Sequence, residues 1–155
     1  MNVTIQRLEE MRVVALRHVG PYANCGAAWH TLCSNPAVRA SFGPHTLAIG
    51  IAHDDPDITE ASKIRLDVCL TVPEDFVAPN GFQIQRIPGG DYAVLRHKGS
   101  YKGLHDDYRY LYGQWLPQSG REPTAAPAME IYRNDPDTVP EAELLTDICL
   151  PLKSI

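Results

Sequence analysis

The side chains with the clearest potential for chemistry are one carboxylate and a group of aromatic residues in the C-terminal half of the sequence. Glu130 stands in the segment AMEIY at residues 128–132. Six of the seven tyrosines lie in this half, at positions 92, 101, 108, 110, 112 and 132. A carboxylate among aromatic rings can attract an organic cation, and it can also orient or deprotonate a water molecule.

Period-two alternation predicts which way Glu130 points. In a strand over this segment, Met129 and Ile131 share one face, whereas Ala128, Glu130 and Tyr132 share the other. Two interpretations follow from the pattern. The more frequent one is a strand carboxylate in water, and the other is an acidic group inside a pocket.

The helix expected after the extended run at residues 82–97 carries an aromatic stripe. Tyr108, Leu111, Tyr112 and Trp115 recur at helical spacing. Such a stripe most often belongs to a core, but Tyr and Trp have polar tips that need partners, which also suits a pocket wall. Pro117 and Gly120 follow closely, so we expect the helix to end there and to leave Trp115 at its terminus.

An internal repeat singles out Glu130. Three blocks recur in the same order at an offset of 79 or 80 residues: 3–22 over 82–101, 50–57 over 130–137, and 67–70 over 147–150. Residues kept in both copies are best explained by the shared fold, whereas a change of chemistry favours function. Glu130 aligns with Gly50 and is therefore a candidate functional residue.

Two pairs of reactive residues are kept in both copies. His18 aligns with His97, and Cys69 aligns with Cys149. For the histidines, a hydrogen-bonded side chain at a strand end is favoured over a catalytic dyad. The cysteines are interpreted as buried thiols.

Each copy predicts the element order β-α-β-β. An extended run, broken by turn residues, precedes one amphipathic helix and two further strands. We expect an α+β fold and a single domain over residues 1–155, made of repeats 1–77 and 81–155. Because either repeat alone is short for a stable core, we expect them to pack about a pseudo-twofold axis.

The composition narrows the function classes. Fourteen Lys and Arg against nineteen Asp and Glu give a net charge of −5, which disfavours direct nucleic-acid binding. No apolar run is long enough for a membrane span, and the N-terminus is unlike a signal peptide, so we expect a cytoplasmic protein. Four scattered cysteines without a CxxC pair suggest neither disulfides nor zinc, and no metal or cofactor is expected.

Four blocks of the sequence resemble the GyrI-like small-molecule-binding superfamily. They are LRHVGPY (16–22), YAVLRHKGSY (92–101), LYGQWLPQSG (111–120) and PAMEIYRNDP (127–136). The superfamily includes gyrase-inhibitory proteins, effector domains of AraC-type regulators and multidrug-sensing domains of MerR-type activators. The resemblance runs nearly from end to end. It implies two SHS2 modules whose antiparallel sheets and two main helices frame a central groove.

The resemblance also implies a binding site. In that family, the Glu on the matching strand lies at the bottom of the groove and meets cationic, aromatic ligands stacked on Tyr and Trp. The residues implied here as ligand-binding are Glu130, Trp115 and Tyr112, with Tyr92, Tyr108, Trp29 and Tyr22 as weaker candidates.

The resemblance favours a stand-alone protein that binds or senses lipophilic, cationic drugs or toxins. Two alternatives stay open. One is a hydrolase of cyclopropane-containing electrophilic toxins, in which Glu130 would be catalytic. The other is a gyrase-inhibitor-like module, whose protein partner would be gyrase or a regulator.

Overall fold

The computed structural model describes residues 2–155 and has the predicted α+β fold with antiparallel strands. The strands are β1 (Val3–Leu8), β2 (Met11–Val19), β3 (Ala48–Ala52), β4 (Arg65–Thr71), β5 (Gln83–Ile87), β6 (Gly90–Lys98), β7 (Ala128–Tyr132) and β8 (Leu145–Leu152). The helices are α1 (Gly26–Ser34), α2 (Pro36–Ala40), α3 (Leu104–Tyr110) and α4 (Leu116–Ser119), and the π-helical segment Leu111–Trp115 joins the last two.

The chain forms two compact units. One is Glu10–Pro88, and the other is Gly89–Ile155 together with the N-terminal residues up to Glu9. We refer to them as the Glu10–Pro88 unit and the Gly89–Ile155 unit.

The Glu10–Pro88 unit has the strand order β3-β4-β2-β5. Leu32 of α1 is fully buried in one cluster with Val14 of β2 and Val68 of β4. Val14 and Val68 occupy the same face of the sheet because side chains alternate along each strand. Burying a side chain such as Leu32 contributes about 1.5–3 kcal/mol, so this contact holds the helix on the sheet.

The Gly89–Ile155 unit has the strand order β1-β6-β8-β7. Its core joins Ala93 of β6 and Ile148 of β8 to Leu104 and Leu111 of the helical run. Leu104 and Leu111 are seven residues apart, which places them on one face of a helix. The helical run therefore packs on the sheet face that carries Ile148.

The two units differ in their bounds from the predicted repeats, 1–77 and 81–155. The difference arises because β1 pairs with β6 and β5 pairs with β2, so each first strand belongs to the unit of the other repeat. The chain passes between units at Glu9-Glu10 and at Pro88-Gly89-Gly90, the two breaks noted in the sequence. The duplication and its pseudo-twofold axis stay predictions.

The helices of residues 2–155 are short or polar, and none of them meets the length and hydropathy that crossing a membrane requires.

Candidate functional site

Glu130 is a buried carboxylate held by two phenols. Only 9% of the residue is exposed. Tyr108 donates its hydroxyl hydrogen to Oε2 at 2.7 Å, and Tyr132 donates to Oε1 at 2.8 Å. The interpretation of Glu130 as a strand carboxylate in water therefore does not fit the structure.

The strand register explains why Glu130 is buried. Glu130 of β7 lies opposite Ile148 of β8, and residues paired in this way point to the same face. Ile148 is part of the core that contacts the helical run, so Glu130 also faces that run. Tyr108 lies between Leu104 and Leu111 on the inner side of the helix, from which its hydroxyl reaches the carboxylate.

Burial dominates the electrostatics of this pair. It raises the pKa of Glu130, while the hydrogen bonds from Tyr108 and Tyr132 and the charge of His97 act in the opposite direction. The pKa of Tyr108 lies well above its usual 10, first because of burial and then because of the Glu130 charge. Tyr108 thus stays a hydrogen-bond donor. Within residues 2–155, no Lys or Arg forms an ion pair with Glu130.

Two tyrosines that were not predicted as site residues complete the surroundings. Tyr132 holds Glu130 directly, and the ring of Tyr101 meets the Tyr132 ring edge-on, with centroids 5.7 Å apart. The alternation in the AMEIY segment had already placed Tyr132 on the face of Glu130. Tyr101, which aligns with Tyr22 in the repeat, is not among the residues predicted to bind the ligand.

The predicted aromatic residues Tyr112 and Trp115 both lie in the π-helical segment. Tyr112 is 44% exposed and interacts electrostatically with Tyr108. The prediction that Trp115 lies at a helix terminus is wrong, because the helix continues through Pro117 to Ser119. The wider π turn precedes Pro117 and tolerates its missing N–H group, and Gly120, with φ of +73°, ends the helix.

Trp115 packs partly against the core and also borders a surface depression of about 280 Å³. The other residues that line the depression are Tyr110, Gln114, Gln118 and Ser119. Glu130 is not among them, so this depression does not join Trp115 to the carboxylate.

Tyr92 does not share the face of Glu130. It lies opposite Pro151, whereas its neighbour Ala93 lies opposite Leu150 in the core that faces the helix. Tyr92 is 2% exposed on the other side of the same sheet. Its proposed contact with a ligand at Glu130 is therefore not supported by the register.

Tyr22 and Trp29, the two weaker candidates from the first repeat, belong to the Glu10–Pro88 unit. Both pack against the cluster around Leu32. The Tyr22 hydroxyl also donates to the carbonyl oxygen of Asp54 at 2.5 Å. These are contacts typical of core residues.

Strand residues that correspond at an offset of 80 positions differ in polarity between the two units. In the Gly89–Ile155 unit, Tyr132 lies opposite Thr146, next to the pair of Glu130 and Ile148. In the Glu10–Pro88 unit, the corresponding pairs are Ala52 with Leu66 and Gly50 with Val68. A carboxylate, a phenol and a hydroxyl thus replace glycine, alanine and leucine. Thr146 is fully buried, and its hydroxyl has no hydrogen-bond partner in the described part of the chain.

The four cysteines form no disulfide, and Cys69 and Cys149 are buried, as predicted. Burial raises the pKa of Cys149 to about 12, so this thiol stays protonated at neutral pH. Across residues 2–155, no group of three His, Cys, Asp or Glu side chains is arranged to hold a metal ion.

The fold and the sequence place the chain in a known family. A family model described as a GyrI-like small molecule binding domain matches residues 1–153. The protein therefore belongs to the GyrI-like family of small-molecule-binding domains, as its sequence blocks indicate.

Relatives and solved structures agree with this assignment. A DNA gyrase inhibitor from Yersinia enterocolitica is 31% identical over 139 residues, which cover 87% of this chain and 88% of the relative. The EcmrR C-terminal domain is similar with a TM-score of 0.79 and 20% identity, over 99% of this chain and 98% of that one. SAV2435 bound to tetraphenylphosphonium has a TM-score of 0.67 and 17% identity, over 99% of this chain and 95% of that one.

Proposed function

We propose that the protein binds lipophilic, aromatic cations, as a drug- or toxin-binding or sensing protein, and that Glu130 is the acidic anchor. The observation that carries the proposal is a buried carboxylate whose hydrogen-bond partners are the neutral phenols of Tyr108 and Tyr132. Burial makes the ionised form of Glu130 costly. A cation that reaches the carboxylate lowers this cost and is bound more tightly as a result.

The aromatic surroundings suit the same ligand class. Tyr101, Tyr108, Tyr112 and Tyr132 are all linked to Glu130 directly or through one ring. Each ring face contributes about 0.5–2 kcal/mol to the binding of a desolvated cation. Rings and a point charge specify little about a ligand's outline, so broad selectivity is expected. The tetraphenylphosphonium bound by SAV2435 is a ligand of this class.

The alternative of a hydrolase for cyclopropane-containing toxins would use the same residues. The raised pKa of Glu130 suits a general base for a water molecule. The Tyr108 phenol would be the acid, although its pKa well above 10 makes it a weak one. This alternative predicts loss of substrate in proportion to time and no turnover in Glu130→Gln. Stoichiometric binding without turnover would reject it for the compound tested.

The gyrase-inhibitor alternative is favoured by the 31% identity to the Yersinia enterocolitica protein. It predicts inhibition of DNA supercoiling by purified gyrase, and the inhibition should persist in Glu130→Gln. Inhibition that is lost with Glu130 would link the two activities to one site.

Titration of the protein with tetraphenylphosphonium in a calorimeter tests the main proposal. At a separation of roughly 6 Å and an effective dielectric constant of about 20, the attraction to Glu130 is about 3 kcal/mol. Because the raised pKa reduces the ionised fraction, we expect Glu130→Gln to weaken binding about 10- to 100-fold.

The matched control is Glu141→Gln, which makes the same charge change at an exposed position of the same unit. It should bind within about twofold of wild type, since exposed charges are screened. If Glu130→Gln also stays within twofold, Glu130 is not the anchor.

A further inference from the structure

His97 is held between two oxygen acceptors. Its Nδ1 lies 2.5 Å from Oδ2 of Asp107, and its Nε2 lies 2.8 Å from the carbonyl oxygen of Ser100. A carbonyl oxygen can only accept, so Nε2 carries a hydrogen, and an ionised Asp107 requires a hydrogen on Nδ1 as well. Both ring nitrogens thus lie within hydrogen-bonding distance of an oxygen acceptor, which is the geometry of an imidazolium–carboxylate pair. Both side chains are largely buried, with exposures of 13% for His97 and 9% for Asp107.

Gly103 fixes the ring from a third side. A Cβ atom at this position would lie 2.7 Å from Cε1 of His97 and 3.2 Å from Nε2. The backbone of Gly103, with φ of −81°, is one that any residue could adopt. The glycine is therefore needed for the close approach of the imidazole, which ties the end of β6 to the start of α3.

The ion pair lies beside the Glu130 site. His97 is opposite Thr146 on β8, and Thr146 is opposite Tyr132 on β7, so all three side chains share the face of Glu130. Asp107 directly precedes Tyr108, whose hydroxyl meets the carboxylate. The charge of His97 favours the ionised form of Glu130.

The groups that act on Glu130 come from three elements. They are His97 on β6, Tyr132 on β7 and Tyr108 on α3. Asp107 on α3 contacts His97, and Tyr112 in the π-helical segment acts on Tyr108. His97 is the one cation in this set. It is balanced by Asp107, which lies on the far side of the ring from the Ser100 contact.

The equivalent histidine of the other unit lacks this acid. His18 makes the same carbonyl contact, from Nε2 to Pro21 at 3.0 Å. Offsets of 79 and 80 residues place Ala28 and Ala27 where Asp107 stands. The carboxylate partner thus occurs in the unit that has Glu130 and is missing from the unit that has Gly50.

We propose that the His97–Asp107 ion pair positions and tunes the Glu130 site. It anchors α3 so that Tyr108 reaches Glu130, and its histidine supplies a positive potential that favours the ionised form of Glu130. The pair thereby lowers the pH above which the site accepts a cation. This inference rests on the proposed function for its biological meaning, but its physical claim can be tested without any ligand.

The substitution Asp107→Asn separates charge from shape. The asparagine is isosteric and can donate to Nδ1 of a neutral His97, while Nε2–H still donates to Ser100. The hydrogen bonds survive and the charges disappear. Asp106→Asn is the matched control, since Asp106 is the exposed neighbour on the same helix.

The decisive measurement is the titration of the Glu130 carboxyl carbon by NMR in the ligand-free protein. We expect Asp107→Asn to raise the proton affinity of Glu130 about three- to tenfold, that is, up to about one pH unit. The control should leave it unchanged. An unchanged Glu130 titration in Asp107→Asn overturns the proposal. If that variant does not fold, His97→Gln replaces it and must shift the titration in the same direction.

Binding of tetraphenylphosphonium then tests the functional consequence. Its charge does not titrate, so any pH dependence belongs to the protein. Below the Glu130 midpoint, Asp107→Asn should bind about three- to tenfold more weakly than wild type, and above it equally well. If the NMR titration shifts but the phosphonium does not bind to wild type, the ion-pair proposal stands and the proposed function fails. Weaker binding by the same factor at every pH would overturn the tuning role.

Discussion

Replacing Glu130 by Gln should make the free protein more stable while it weakens binding. Glu130 is buried, and its ionised form has two phenol donors and no cationic ion-pair partner within residues 2–155. Glutamine keeps the shape and removes the charge. A carboxylate kept for binding carries a cost in stability, whereas one kept for folding does not.

The size of the effect follows from two opposing contributions. Replacing the charged acceptor by a neutral amide weakens the two phenol hydrogen bonds and costs about 1–3 kcal/mol of stability, since hydrogen bonds to a charged group are stronger than neutral ones. Removing the desolvation penalty of a buried ion gains several kcal/mol. We therefore expect Glu130→Gln to be about 1–2 kcal/mol more stable than wild type at pH 8.

The sign of the pH dependence is also fixed. The pKa of Glu130 is raised in the folded state, so the folded protein binds this proton more tightly than the unfolded chain does. The stability from this group is present below the unfolded pKa, near 4.3, and is lost as the pH rises through the raised folded pKa. Wild type should therefore match or exceed Glu130→Gln at pH 4 and fall below it at pH 8.

Urea unfolding of both proteins at pH 4, 6 and 8 measures this difference. The reasoning would be refuted if Glu130→Gln were less stable than wild type at pH 8 and the difference did not change with pH. That result would make Glu130 a structural residue.

Three further substitutions test the surroundings of Glu130. Tyr108→Phe removes one donor from the carboxylate, so phosphonium binding at pH 6 should weaken about three- to tenfold by calorimetry, with little change at pH 9; equal weakening at both pH values would contradict this. Thr146→Val removes a buried hydroxyl without a partner and should raise the free energy of unfolding by about 1 kcal/mol in urea; a loss of stability would reveal a missed hydrogen bond. Gly103→Ala should cost about 1–3 kcal/mol, because the new methyl group displaces His97; an unchanged midpoint in thermal unfolding would show that the ring is free to move.

Much of the site could be predicted from local patterns. Alternation in the AMEIY segment placed Glu130 opposite the face of Met129 and Ile131, and the structure has the same alternation. Helical spacing placed Tyr108 on the inner side of its helix. These predictions succeed because they depend on the periods of single elements.

The differences between prediction and structure concern relations between distant elements. Residues 92–95 of β6 are all buried, so no change of polarity along the strand reveals which face Tyr92 occupies. The pairing of β1 with β6 joins segments more than 80 residues apart, and no local signal specifies it. Trp115 was misplaced because a π-helical turn before Pro117 has no sequence signal of its own.

The comparison of the two repeats points to Glu130 but does not point to the proposed role of His97. Because His18 and His97 are both present, the repeat favoured a structural role for each. The proposed difference lies in the partner, which is Asp107 for His97 and alanine for His18, and it becomes visible only when the contact of His97 with α3 is known. A residue present in both repeats can thus differ in role when the residue that it contacts differs.

The most direct test of the central claim varies the charge of the ligand and of Glu130 together. Methyltriphenylphosphonium and triphenylphosphine oxide have similar shapes, but only the first is a cation. Calorimetry with both ligands, on wild type and on Glu130→Gln, isolates the interaction between the two charges. We expect wild type to prefer the cation by about tenfold or more and Glu130→Gln to prefer it by less than about threefold. An equal preference in both proteins would show that Glu130 is not what recognises the cation.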